Sequence, residues 1–215
     1  MCYNYNMTDY LSNFFFGPVL IWSPAIFSFL IMSAAATLYF PRIRSNAKIF
    51  KFVNYKFLII YLLAFKVFYA VILTVSQYLV WSNNDFTKYF LPPYQTFDYF
   101  ILYSCGRFWM ALVISFGVSL IFWFCLKAIK KYRPFFFGEG ELELGLICAL
   151  VSGWPNFVVF LPLAFSLIFV FSFFRILFFK KDAVAIGPYF LIASFISLFI
   201  GAWLIDIFNL NVLMV

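Results

Sequence analysis

Acidic side chains are scarce in this chain, and those standing beside glycine or proline mark where chemistry could occur. Three stretches combine polar residues with helix breakers among long apolar runs. They are Asp85-Phe86-Thr87-Lys88-Tyr89-Phe90-Leu91-Pro92 followed by Thr96, then Gly138-Glu139-Gly140-Glu141-Leu142-Glu143-Leu144, then Ile186-Gly187-Pro188-Tyr189-Phe190. Each has a plain structural reading. Asp85 reads as an interfacial acid with Lys88 one helical turn on as its partner. Glu139, Glu141 and Glu143 read as a solvated acidic loop answering Lys127, Lys130, Lys131 and Arg133, and Gly138 and Gly140 as a turn before a helix. Brought together, the carboxylates of the first two stretches could hold a hard cation, but the residues alone assign no metal site. Histidine is absent, which removes His-based triads, His metal sites and His pH switches. Cys2, Cys105, Cys125 and Cys148 form no C-x-x-C pair, so zinc, redox and disulfide chemistry lack support.

The elements that must position these residues are membrane helices. Of 215 residues, 66% are hydrophobic and only 11% charged, against about 45–50% and about 25% in soluble domains. Mean hydropathy is +1.00. This composition excludes a soluble globular enzyme and a disordered chain. The expected fold is all-α: one polytopic transmembrane bundle over 1–215, of about 7–8 short helices at about 20 residues per crossing. The net charge of +7 is no nucleic-acid signature, because the basic residues sit in short loops between apolar runs, as in cytoplasmic loops. No cleavable signal peptide is expected, since the N-terminus, with Asp9, lacks a basic n-region.

Apolar runs cover roughly 14–40, 57–81, 97–126, 144–178 and 183–208. Pro18 and Pro24 are tolerable kinks in the first, and Pro41 is expected to end it. The segment holding Arg42, Arg44, Lys48, Lys51 and Lys56 has no acid and reads as cytoplasmic. A second basic cluster is Lys127–Arg133, and a third is Arg175, Lys180 and Lys181 beside Asp182. Gly153-Trp154-Pro155-Asn156 breaks the fourth run and predicts a hairpin. Runs 47–84 and 94–131 are each either one long helix or two short ones, with tips near Lys66 and Arg107. The hairpin reading is preferred, because a single helix buries Lys66 and Arg107 at membrane depth, which is costly. Its weak point is 94–105, too short to cross about 30 Å at about 1.5 Å per residue. Hairpins place Asp85 and Glu141 on one membrane face, and single helices place them on opposite faces.

The order and spacing of these motifs resemble the type IV prepilin leader peptidase family, intramembrane aspartyl proteases with a G-x-G-D motif. In that family a first aspartate stands in a D-x5-L-P pattern with a threonine shortly after, matched by Asp85, Leu91, Pro92 and Thr96. The family's G-x-G-D-x-K-L, followed by G-W about a dozen residues on, is matched by Gly138, Gly140, Leu144, Gly153 and Trp154. Gly117 falls where the family has a glycine in the preceding helix. Gly187-Pro188-Tyr189-Phe190 is similar to the opening of the family's last helix. The resemblance covers roughly 80–201, and helices within 1–79 match poorly. Two departures stand out: Glu141 replaces the second aspartate and Glu143 replaces the lysine two residues on. The cytoplasmic loop with two C-x-x-C pairs found in many members is absent.

What the resemblance implies is an aspartyl dyad, Asp85 and Glu141 here, sharing one proton and activating a water. A glutamate carries its carboxyl about 1–1.5 Å further out, and misplacement of that size can cost roughly 10²-fold. The resemblance therefore implies a multi-pass protein of the bacterial inner membrane, catalytically degenerate, serving as an assembly component of a pilus or secretion-type machine. Its partners would be the lipid bilayer and other membrane proteins of that machine, with no nucleic acid. An active endopeptidase cleaving pilin-like leaders with Asp85 and Glu141 is the alternative. A small transporter or channel subunit is a third reading, against which stands the lack of a polar stripe along any one helix. Family members often methylate the cleaved pilin using S-adenosylmethionine; no stretch here matches a site for it, and no cofactor is expected.

Overall fold

A computed structural model of the chain describes residues 18–44, 55–133, 137–138, 140–179 and 185–210. Glu139, Asp9, Cys2, Lys48, Lys51, Lys180, Lys181 and Asp182 lie outside the described residues. Within them the chain is helical: α1 (Pro18–Arg44), α2 (Tyr55–Asn83), α3 (Phe97–Tyr132), α4 (Glu141–Ser152), α5 (Phe157–Phe179) and α6 (Gly187–Ile207). Five of these, all but α4, are long and apolar enough to cross a membrane. In hydrocarbon every backbone group must be bonded within the chain, which makes the helix the default for such runs.

Two expectations are corrected. Residues 55–83 and 97–132 are single helices rather than hairpins, so the described residues hold fewer, longer helices than expected. Lys66 lies mid-helix in α2. Arg107 lies inside α3, in one wider π-helical turn over Cys105–Trp109. The physical reason lies in the sequence around each charge. No breaker surrounds Lys66, and Gly106 alone costs a helix only about 1 kcal/mol. A helix through 94–105 ending at Gly106 would also stop about 12 Å short of the far boundary. Pro41 is the second correction: α1 continues through it to Arg44.

The expected break at 153–156 is present. Gly153 takes φ +63° and ψ 176°, and Trp154-Pro155-Asn156 turn the chain into α5. With only 12 residues, α4 is about 18 Å long at 1.5 Å per residue, too short to cross about 30 Å of hydrocarbon. α4 is the centre of the bundle. Leu144, Ile147, Cys148 and Ala149 are fully buried against α1, α2, α3 and α6. Between lipid-soluble helices packing rather than water exclusion drives association, and small residues allow it. A Cβ on Gly145 would stand 2.8 Å from Leu126 Cδ1, and one on Gly201 2.8 Å from Asn156 Oδ1. Ser152 Oγ lies 3.2 Å from Ser194 Oγ and 3.0 Å from Ser197 Oγ, joining α4 to α6.

Tyr39 late in α1, Glu141 at the start of α4 and Gly187 at the start of α6 touch one another. The last turn of α3, with Lys130 and Lys131, leads into this same end. The opposite end holds the end of α2, the 3-10 turn Thr87–Phe90 and the start of α3, closed by a small cluster of Trp81, Leu91 and Phe100.

Candidate functional site

Gly140, at φ +84°, turns the chain into α4 and makes Glu141 its first residue. The side chain is 1% exposed. Its Oε1 accepts from the Tyr39 hydroxyl at 2.6 Å and from the Gly187 amide at 3.2 Å. Its Oε2 accepts from the Gly138 amide at 2.8 Å. The carboxylate thus sits at the N-termini of α4 and α6 together, where unsatisfied amides and the helix dipoles favour negative charge. Hydrogen bonds to a charged group contribute about 1.5–3 kcal/mol each, and three of them offset the burial of one carboxylate. Glycine is required at 187 for this closeness: a Cβ there would lie 2.5 Å from the Tyr39 hydroxyl oxygen.

Asp85 is elsewhere. It follows the end of α2, with its side chain 92% exposed, and accepts from Lys88 Nζ at 2.8 Å. That hydrogen bond and the lysine's charge hold its carboxyl below the ordinary carboxylate range, and raise Lys88 in turn. Between Asp85 and Glu141 runs the whole of α3, 36 residues or about 54 Å at 1.5 Å per residue. The two carboxyl groups stand at opposite ends of the bundle. Neither a shared proton nor a shared cation is possible in this arrangement, and among the described residues no three His, Cys, Asp or Glu side chains group to hold a metal ion.

The remaining motif residues divide between the two ends and the middle. Leu91 is buried in the cluster with Trp81, while Pro92 and Thr96 are exposed, Thr96 as the N-cap of α3 without a side-chain bond. Gly138 and Gly187 meet at Glu141, and Pro188 starts α6. Glu143, half-buried, lies in the first turn of α4. Gly153 and Trp154 form the tip of the α4–α5 hairpin, where a Cβ on Gly153 would lie 3.1 Å from Lys66 Nζ. Tyr39 was not visible as a site residue. Its partner is 102 positions away, and a tyrosine near the end of an apolar run carries no local signature of such a bond. No protein-family model, no curated protein and no solved structure matches the chain.

Proposed function

We propose that this chain is a non-hydrolytic, multi-pass membrane protein that keeps prepilin-peptidase-like motifs as packing devices and serves as a structural component of a larger membrane assembly. The cytoplasmic membrane of a bacterium, with the basic end inward, and a pilus or secretion-type machine are the context that the motifs suggest, by analogy of motif alone.

One observation carries the reading. Glu141, at the position matching the family's second acid, is committed to three hydrogen bonds that close α1, α4 and α6 on one another. The matching first acid stands beyond the other end of α3. Gly138, Gly140 and Gly187 then serve the close approach of helix ends around a carboxylate, a role in folding rather than hydrolysis.

The test is incubation of the purified protein with a prepilin-like substrate, alongside its isolation under mild detergent. Copurification in fixed ratio with other membrane proteins, without leader cleavage, is the expected result. Cleavage that disappears with Asp85→Asn or Glu141→Gln would establish an endopeptidase instead. Ion flux through reconstituted liposomes would favour a channel or transporter subunit.

A further inference from the structure

We infer that Lys66, Arg107 and Ser115 form a binding site for a phosphate group within the bundle, above the tip of the α4–α5 hairpin. Such a site does not depend on the function proposed above.

Because α4 turns back after 12 residues, the space beyond its tip is not filled by protein. A cavity of about 450 Å³ occupies it. Its walls are α1 at Pro24 and Ser28, α2 around Lys66, α3 from Arg107 to Ser115, and the turn Gly153–Asn156. A non-helical turn among membrane helices is tolerated only where it is enclosed by protein or lines a polar cavity.

The charge in the cavity is one-sided. Lys66 and Arg107 both line it, and no aspartate or glutamate does. Lys66 is the twelfth residue of α2, about 17 Å from its start at 1.5 Å per residue, so its ammonium cannot reach the basic end. Nζ faces the hairpin tip and has neither a hydrogen bond nor an ion pair among the described residues. Intramembrane cations are normally paired, with each other's counter-charges or with a ligand. Arg107 is exposed at the cavity rim, about 12 Å along α3 from Ser115 at 1.5 Å per residue; it donates from Nη1 to the Tyr103 hydroxyl at 3.1 Å, which leaves most of its donors free to turn toward the cavity. A further donor lies beside the ammonium. The Ser115 hydroxyl is buried, borders Gly153 and Lys66, and has no hydrogen-bond partner.

Two cations and an orphaned hydroxyl call for an oxyanion able to accept from several directions. A tetrahedral phosphate meets the guanidinium fork in bidentate fashion and keeps oxygens for the ammonium and hydroxyl. A carboxylate has two oxygens in one plane, and the guanidinium fork alone would take up both. The phosphate comes either from an anionic phospholipid headgroup or as free inorganic phosphate.

The experiment uses the full chain in dodecyl maltoside, which carries no phosphate. Inorganic phosphate or short-chain phosphatidylglycerol is titrated, with chloride at matched ionic strength as control, and unfolding midpoint and binding heat are read. Saturable stabilisation by one of the phosphate probes is expected and identifies the source, free ion or headgroup. Lys66→Gln and Arg107→Gln should each weaken binding by about tenfold or more, the loss of one charged contact, and Ser115→Ala by less. Lys66→Gln removes an uncompensated charge, so unliganded it should melt no lower than wild type, which checks its fold. No response to either probe, an equal response to chloride, or undiminished binding by the folded Lys66→Gln and Arg107→Gln variants would overturn the site.

Discussion

At the scale of single residues, the two acids that the motifs pair have opposite structural weights. Glu141→Ala leaves the Tyr39 hydroxyl and the Gly187 amide buried without an acceptor, and the more exposed Gly138 amide to solvent. At about 1–3 kcal/mol for each orphaned group, partly relieved by water at the helix ends, the loss should be roughly 2–5 kcal/mol. Tyr39→Phe removes one bond to a charged acceptor and should cost about 1.5–3 kcal/mol. Both are read by thermal unfolding in detergent, and a Glu141→Ala variant as stable as wild type would refute the carboxylate's role as a tie between helices. Asp85→Asn should leave the melting temperature unchanged, because the Asp85–Lys88 pair is solvated. Its pH signature has a definite sign. Lys88 depresses the Asp85 carboxyl, so the pair is complete above the ordinary carboxylate range and is lost as pH falls through the lowered value; Lys88, raised, loses its proton only above the usual lysine range. A titration of Asp85 followed by carboxyl-carbon NMR should therefore have its midpoint below 3.8, and the Lys88→Met variant should return it to the ordinary range. The positions of both acids were legible in the sequence. Their company was not, since Tyr39 and Gly187 reach Glu141 only through tertiary packing.

At the scale of elements, the legible and illegible parts separate by how local their cause is. The hairpin turn at 153–156 was readable because Gly, Pro and Asn are adjacent there, and each acts on its own backbone. The α2 and α3 rods are not legible locally, because the cost of a charge such as Lys66 or Arg107 at membrane depth holds only where it faces lipid. A cavity on the far side of the bundle lowers that cost, and no local pattern announces a cavity. The α4–α5 turn can be tested directly. Gly153 occupies φ +63°, ψ 176°, a region essentially restricted to glycine, where another residue costs of order 1–3 kcal/mol. A methyl group there would also press on Lys66 Nζ at 3.1 Å. Gly153→Ala should therefore lower stability by about that amount, whereas Gly117→Ala, which meets open space in α3, should be neutral or stabilising by a few tenths up to about 1 kcal/mol. Equal effects of the two changes would mean that the tip is not held as a tight turn.

At the scale of the whole molecule, function turns on which ends of which helices share a face. α2 and α3 each traverse the bundle once, so the turn carrying Asp85 and Lys88 emerges opposite to the end carrying Lys130 and Lys131. Hairpins at Lys66 and Arg107 would have brought both turns to one side without changing any local helix propensity, which is why topology, not secondary structure, decides between hydrolysis and scaffolding here. Cysteine accessibility separates them directly. In a variant with the native cysteines replaced by serine or alanine, Asp85→Cys should react with a membrane-impermeant maleimide applied from one side of sealed vesicles. Lys131→Cys should react only from the other side. With the basic end cytoplasmic, Asp85→Cys labels in intact cells and Lys131→Cys only after permeabilisation. Labelling of both from the same side would mean that α3 doubles back, would return the two carboxyl groups to one leaflet, and would reopen the dyad.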